Sequence, residues 1–183
     1  MADTLREETL SSTPLLEGKL LQVYRDEVRV SDGHTSVREW IRHPGASAVV
    51  PLFADGSTVL VRQFRYPPQR TFLEVPAGKL DQGSEDPETA AVRELEEETG
   101  WRAGRLTALG SLYPCIGYSN EIIHFFLAED LERGAAAEIP GEVVQNVRMP
   151  FAEAVEQALT GGLRDMKTTA ALALANAYVQ GRR

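Results

Sequence analysis

The segment from Asp86 to Gly100, DPETAAVRELEEETG, constrains the fold of this chain more than any other. Its pattern predicts a helix from Pro87 or Glu88 to Thr99. Asp86 is placed to accept the free N–H groups of the first turn, and Pro87 suits a first helical position that needs no donor. Gly100 supplies the stop. The rhythm on either side is different. Ala46 to Phe53, Ser57 to Phe64 and Thr71 to Val75 read as strands before the helix. Thr107 to Leu112, Ile122 to Leu127 and Val143 to Met149 read as strands after it. Two more helices follow, Phe151 to Leu159 and the alanine-rich Met166 to Tyr178. One central helix among strands, without regular βαβαβ alternation, points to a mixed α/β sandwich and away from a doubly wound sheet.

Upstream, Leu15 to Val30 alternates apolar and polar residues, Ser31-Asp32-Gly33 marks a turn, and Val37 to Ile41 resumes as a strand. His43-Pro44-Gly45 breaks it. Such an antiparallel pair cannot bury one face alone, so it is expected to pack on the main body or on another subunit. The expected organisation is a loose, polar arm over 1–14, a strand region over 15–42 and a main domain over 43–183. The arm lacks the basic region and apolar core of a secretory signal. Ala128 to Gly141, acidic and poor in large apolar residues, is expected to be a loop.

Charge narrows the function. The 183 residues carry 27 Asp and Glu against 19 Lys and Arg, a net charge of -8. That disfavours a nucleic-acid binder, which needs a positive field. A small anionic substrate stays possible where arginines or a divalent metal reverse the field in one cleft. With no run of 18 apolar residues, no membrane span is expected. The single cysteine, Cys115, excludes an intrachain disulfide and a cysteine-built metal cluster, and fits a reducing cytoplasm. As a lone cysteine it reads as a small buried side chain, not a nucleophile.

On the central helix, Glu94 and Glu98 lie four apart on one face, and Glu97, three from Glu94, adjoins it. Like charges so spaced repel by about 0.2–0.5 kcal/mol per pair on an exposed helix. Spacing alone leaves two readings, a solvated acidic face or carboxylates gathered on a divalent cation. Magnesium, which takes hard oxygen ligands and keeps water and phosphate around it, fits the second. Leu95, Ala90 and Ala91 place another side of the helix in the core, and Arg93 is positioned to brace Glu97.

Taken with its surroundings, this stretch resembles the Nudix box. Glu85, Arg93, Glu94, Leu95, Glu97, Glu98, Gly100 and Trp101 fit it in order and spacing; Gly78 stands one position further from Glu85 than in the family. RQFRYPPQRTFLEVPAGKLD, Arg62 to Asp81, is similar to the segment preceding the box in ADP-ribose pyrophosphatases, as is HPGASAVVPL, His43 to Leu52. The resemblance implies a Nudix-type mixed-sheet α/β/α sandwich with an N-terminal antiparallel strand extension. It also implies hydrolysis of a nucleoside diphosphate-linked moiety with Mg2+ or Mn2+, and a homodimer with exchanged N-terminal strands.

Carried over residue by residue, the resemblance makes Glu94, Glu97, Glu98 and the Ala77 carbonyl metal ligands, with Glu97 and Glu98 also in the catalytic set. Glu142, or else Glu138, is the expected general base. Arg62 and Arg65 are expected to grip the diphosphate, with Gln63 sharing that role and Tyr66 lining a base or ribose pocket. Phe64 reads as core. Glu74 is expected near metal or substrate. Glu85 either ties the loop to the helix by an ion pair or is a simple helix-start acid. Tyr113 to Glu121 is similar to the family's substrate loop, with Ile116 where the family has proline, then Gly117 and Glu121. The leading expectation is cleavage of ADP-ribose to AMP and ribose 5-phosphate. The alternatives are GDP-mannose or another nucleotide sugar, and a Nudix-like ligand sensor without turnover.

Overall fold

The computed structural model describes residues 5–80, 85–134 and 143–182. Its strands are β1 (Glu8–Glu17), β2 (Gln22–Arg29), β3 (Thr35–Arg42), β4 (Ala46–Pro51), β5 (Ser57–Arg65), β6 (Arg70–Glu74) and β7 (Ala77–Lys79). After helix α1 (Pro87–Thr99) come β8 (Trp101–Leu112), β9 (Ile123–Arg133) and β10 (Val144–Pro150). Helices α2 (Phe151–Leu159) and α3 (Met166–Gly181) follow.

The strands form three sheets, ordered β1-β2-β3, β10-β5-β6 and β7-β4-β9-β8. Among the described strands all pairings are antiparallel except β4 with β9. That parallel pair is the centre of the molecule. Every residue of β4 is buried, which is why Ala46 to Pro51 reads as a continuous apolar run. One face of the pair, with Ala48, Val50, Phe125 and Leu127, packs on α2 and α3. The other face, with Val49 and Phe126, packs on Ala91 and Leu95 of α1. This is the expected α/β/α sandwich.

Helix α1 follows its sequence signals closely. The Asp86 carboxylate accepts from Glu88 N and Thr89 N at 3.1 and 3.2 Å. Gly100 turns the chain out at φ 72°.

Some expectations change. The polar arm is a strand from Glu8 onward: β1 pairs with β2 along its length, and Arg29 bonds Glu8 at 2.9 Å. Its residues are exposed, so no apolar pattern marked it; main-chain pairing and cross-strand charge hold it. β8 starts at Trp101, directly after the helix stop, and β9 runs on to Arg133. These polar extensions pair with each other, Trp101 opposite Arg133. Phe64 is 54% exposed and is not core.

The N-terminal sheet has little of its own to bury. Tyr24 and Trp40 stack at 5.4 Å, Arg42 lies over the Tyr24 ring at 4.2 Å, and Trp40 donates to Asp26 at 2.9 Å. Leu15, Leu16 and Val37 stay about half exposed. The sheet is tied to the main domain where Ile41 N donates to Tyr118 O at 2.7 Å.

Candidate active site

A cleft of about 920 Å³ lies where α1, β7, β5, the start of α3 and the N-terminal sheet converge. The acidic face of α1 forms one wall. Glu94 and Glu98, one turn apart, both line it. Glu94 is 8% exposed and rests against the backbone of Gly78, where any Cβ would overlap its carboxylate. Glu98 accepts the Ala77 N–H at 3.1 Å. Thus the acidic residues of α1 dock directly on the backbone of β7, and the glycine is needed because a carboxylate occupies the space a side chain would take.

Arg93 organises this wall. Its Nε and Nη2 each lie 3.0 Å from Glu85, and Nη1 reaches Glu94 at 2.7 Å and Glu97 at 3.1 Å. A further N–H meets the Lys79 carbonyl at 3.3 Å. The Glu85 hydrogen bonds, opposed by burial and joined by those of Glu94, hold this guanidinium well above its ordinary pKa. Glu85 therefore ties the loop to the helix, and Arg93 offsets the repulsion that three nearby carboxylates would otherwise suffer.

Gln63 and Arg65 of β5 also line the cleft. Arg65 forks onto Glu74, Nε to Oε1 at 2.7 Å and Nη2 to Oε2 at 2.8 Å. Lys167 reaches the same carboxylate at 3.2 Å. The Glu74 hydrogen bonds, against burial and with help from Glu98 and Asp165, raise the Arg65 pKa. Glu121 also lines the cleft and lies 3.8 Å from His43.

The cleft brings together Gln63, Arg65, Ala77, Glu94, Glu98 and Glu121 of the expected set. It does not bring in the others. Arg62 lines a separate hollow of about 600 Å³ with Arg70 and Arg164, on the other face of its sheet. Glu97 lies in a groove along the outer side of α1, engaged by Arg93. Glu74 is 4% exposed and committed to Arg65 and Lys167. Tyr66 is 78% and Ile116 84% exposed, and Gly117 is also exposed. Glu138 and Glu142 lie outside the described residues. Among the described residues no group of three or more His, Cys, Asp or Glu is gathered as a metal cage. No described helix is long and apolar enough to cross a membrane.

Several cleft residues were not anticipated: Lys19 and Gln22 at the β1–β2 turn, Arg42, His43, Asp165 and Lys167. His43 carried a signal in its HPG turn, where its Nδ1 accepts the Gly45 N–H at 3.1 Å and Gly45 sits at φ 103°. Lys167 carried none, standing in an otherwise ordinary first turn of a helix.

A capped helix carrying Arg-Glu and Glu-Glu pairs, docked by a glycine strand over a mixed sheet, defines a recognisable class. Residues 41–172 match the NUDIX domain, and residues 7–41 match the nucleoside diphosphate sugar hydrolase N-terminal domain. The chain belongs to the Nudix family and is a Nudix hydrolase. It is 44% identical over 128 residues to an ADP-ribose pyrophosphatase of Bacillus subtilis (strain 168), covering 70% of this chain and 69% of that one. It is 33% identical over 176 residues to an ADP-ribose pyrophosphatase of Mycobacterium tuberculosis (strain ATCC 25618 / H37Rv), covering 95% and 85%. Among solved structures, an ADP compounds hydrolase superposes with a TM-score of 0.84 at 25% identity, covering 99% of this chain and 98% of that one.

Proposed function

We propose that this protein hydrolyses ADP-ribose to AMP and ribose 5-phosphate with Mg2+, or Mn2+ in its place. The observation that carries the reading is one cleft lined by both Glu94 and Glu98 and by Arg65. Carboxylates and a guanidinium in one cleft suit a metal-bound diphosphate, whose charge needs more than one cation.

The donor set fits such a metal. Glu94, Glu98 and the Ala77 carbonyl are hard oxygens, and magnesium is held by one or two carboxylates with waters and substrate phosphate completing its shell. The bare backbone of Gly78 is what admits the Glu94 carboxylate. Glu97, beside that face and engaged by Arg93 as Glu94 is, is the further carboxylate proposed for the metal. When bound, the metal polarises the diphosphate and lowers the pKa of an attacking water. Arg65 holds the diphosphate through the guanidinium edge that Glu74 leaves free. Glu142, with Glu138 as the alternative, takes the water's proton. The water oxygen bonds to one phosphorus, the bridging P–O bond breaks, and the two phosphate monoesters depart.

The enzyme is proposed to work in the cytoplasm as a homodimer whose N-terminal strands are exchanged, which would cover Leu15, Leu16 and Val37. Sedimentation of an active monomer would remove that part of the reading. The substrate is tested by kcat/KM for ADP-ribose, GDP-mannose and ATP with magnesium. ADP-ribose is expected first and ATP last; a preference for GDP-mannose would overturn the assignment.

A further inference from the structure

Lys167 lines the cleft yet has nothing left to offer a ligand. It stands in the first turn of α3, its side chain 16% exposed. An ammonium has three donors. Here they meet Glu74 at 3.2 Å, Asp165 at 3.2 Å and the Val75 carbonyl at 3.5 Å. Asp165 in turn caps α3 by accepting from Thr168 N at 2.9 Å, and Thr168 Oγ1 accepts the Val75 N–H at 2.9 Å. Both polar edges of the Val75 residue are thus held by one helix turn. Two residues further on is Ala77, which meets Glu98.

We propose that Lys167 is a positioning residue that fixes Arg65 for the diphosphate through Glu74, without touching the substrate itself. The inference rests on the reading of Arg65 as the diphosphate ligand. Glu74 is nearly sealed from water, so its geometry is set by protein partners. Arg65 takes one oxygen through Nε and the other through Nη2, and Lys167 shares the second. The four charges, two cations and two carboxylates, sum to zero. The cluster therefore supplies orientation and no net field: Arg65 is held side-on by its Nε and Nη2, which leaves Nη1 outside the pair with Glu74. Without Lys167 the same cluster becomes net negative, and Arg65 alone must satisfy a buried carboxylate, which opposes an incoming phosphate.

The test is a double-mutant cycle read by calorimetric binding of inorganic pyrophosphate in magnesium buffer. The proteins are the full chain, Lys167→Met, Arg65→Gln and the double variant. Lys167→Met is expected to weaken binding about tenfold, equivalent to about 1.4 kcal/mol, and to add less than twofold in the Arg65→Gln background. With ADP-ribose it should raise KM and leave kcat within threefold. Additive losses would show that Lys167 meets the ligand directly, and an unchanged affinity in Lys167→Met would show a merely structural role; either overturns the inference. Lys167→Gln, which keeps a donor for Val75 O while losing the charge, serves in the same cycle if the methionine variant does not fold. A full chain that shows the binding cycle but does not cleave ADP-ribose would overturn the substrate reading alone.

Discussion

Gly78→Ala adds one methyl group where β7 and α1 come closest, and the added Cβ would overlap the Glu94 carboxylate. Neither side can give easily. β7 is paired to β4, Gly78 opposite Ser47, and its Ala77 N–H is held by Glu98 at 3.1 Å. Glu94 is fixed by Arg93 at 2.7 Å, with its side chain 11% exposed. Overpacking of this kind costs about 1–3 kcal/mol. Replacing glycine also narrows the unfolded ensemble, which returns about 0.4–1 kcal/mol. The net loss is roughly 0–2.6 kcal/mol, or a melting midpoint lower by up to about 10 °C for a domain of this size. The domain should stay folded. The functional loss is larger, because Glu94 must swing away to make room, and a displacement of about 1 Å costs on the order of a hundredfold in rate. The assay is kcat/KM for ADP-ribose with magnesium, beside a calorimetric melt. Gly181→Ala is the control, since a Cβ there meets open space in α3. Wild-type turnover and an unchanged midpoint in Gly78→Ala would refute the packing argument. An equal loss in the control would show that neither effect is local.

Glu98→Gln keeps an amide oxygen for the Ala77 N–H but removes a charge from the cleft. It should leave the melting midpoint within a few degrees and reduce magnesium-dependent turnover by about a hundredfold or more, and a magnesium titration of activity separates lost metal affinity from misfolding. Glu142→Gln should bind magnesium normally and lower kcat by about 10²–10⁴-fold, because an amide cannot take the water's proton; full turnover in that variant moves the base to Glu138. His43 gives a pH dependence. Burial, countered by Glu121 and reinforced by Lys79, lowers its pKa, so as pH falls below the ordinary value of about 6.5 the unfolded chain protonates first. Stability is therefore expected to be full above that value, to fall as pH drops toward the lowered folded value, and to level below it. Urea unfolding at stepped pH should show this limb in the full chain and lose it in His43→Gln; an identical limb in both would assign it elsewhere.

The parts of the fold that were legible in the sequence are those written in local chemistry. Asp86, Pro87 and Gly100 bound α1 because capping is decided within one turn of chain. The apolar run of β4 was legible because a strand buried on both faces cannot alternate. β1 was hidden for the opposite reason. Its side chains bury nothing in this chain, and strand pairing through the backbone leaves no mark on residue type. The polar ends of β8 and β9 were hidden likewise: each is a strand only because the other lies beside it.

The site divides along the same physical line. Glu94 and Glu98 were legible because helical spacing alone puts them on one face, and Glu97 falls beside that face by the same geometry, about 100° from Glu98. On β5 the rule is parity. Leu60, Arg62 and Phe64 share one face, and Val61, Gln63 and Arg65 share the other. Leu60 belongs to the core under α2 and α3, so Arg62 must point with it, and the two arginines that stand close in sequence serve different sides of the sheet. That consequence follows once Leu60 is known to face the helices. Arg65 is held by residues that only tertiary structure brings near, Glu74 from the adjacent strand and Lys167 from 93 positions beyond Glu74. A sequence can display the groups proposed to meet the diphosphate, since each needs a charge. It does not display the groups that hold them, since any partner able to complete a buried carboxylate will do, and only the fold decides which one stands there.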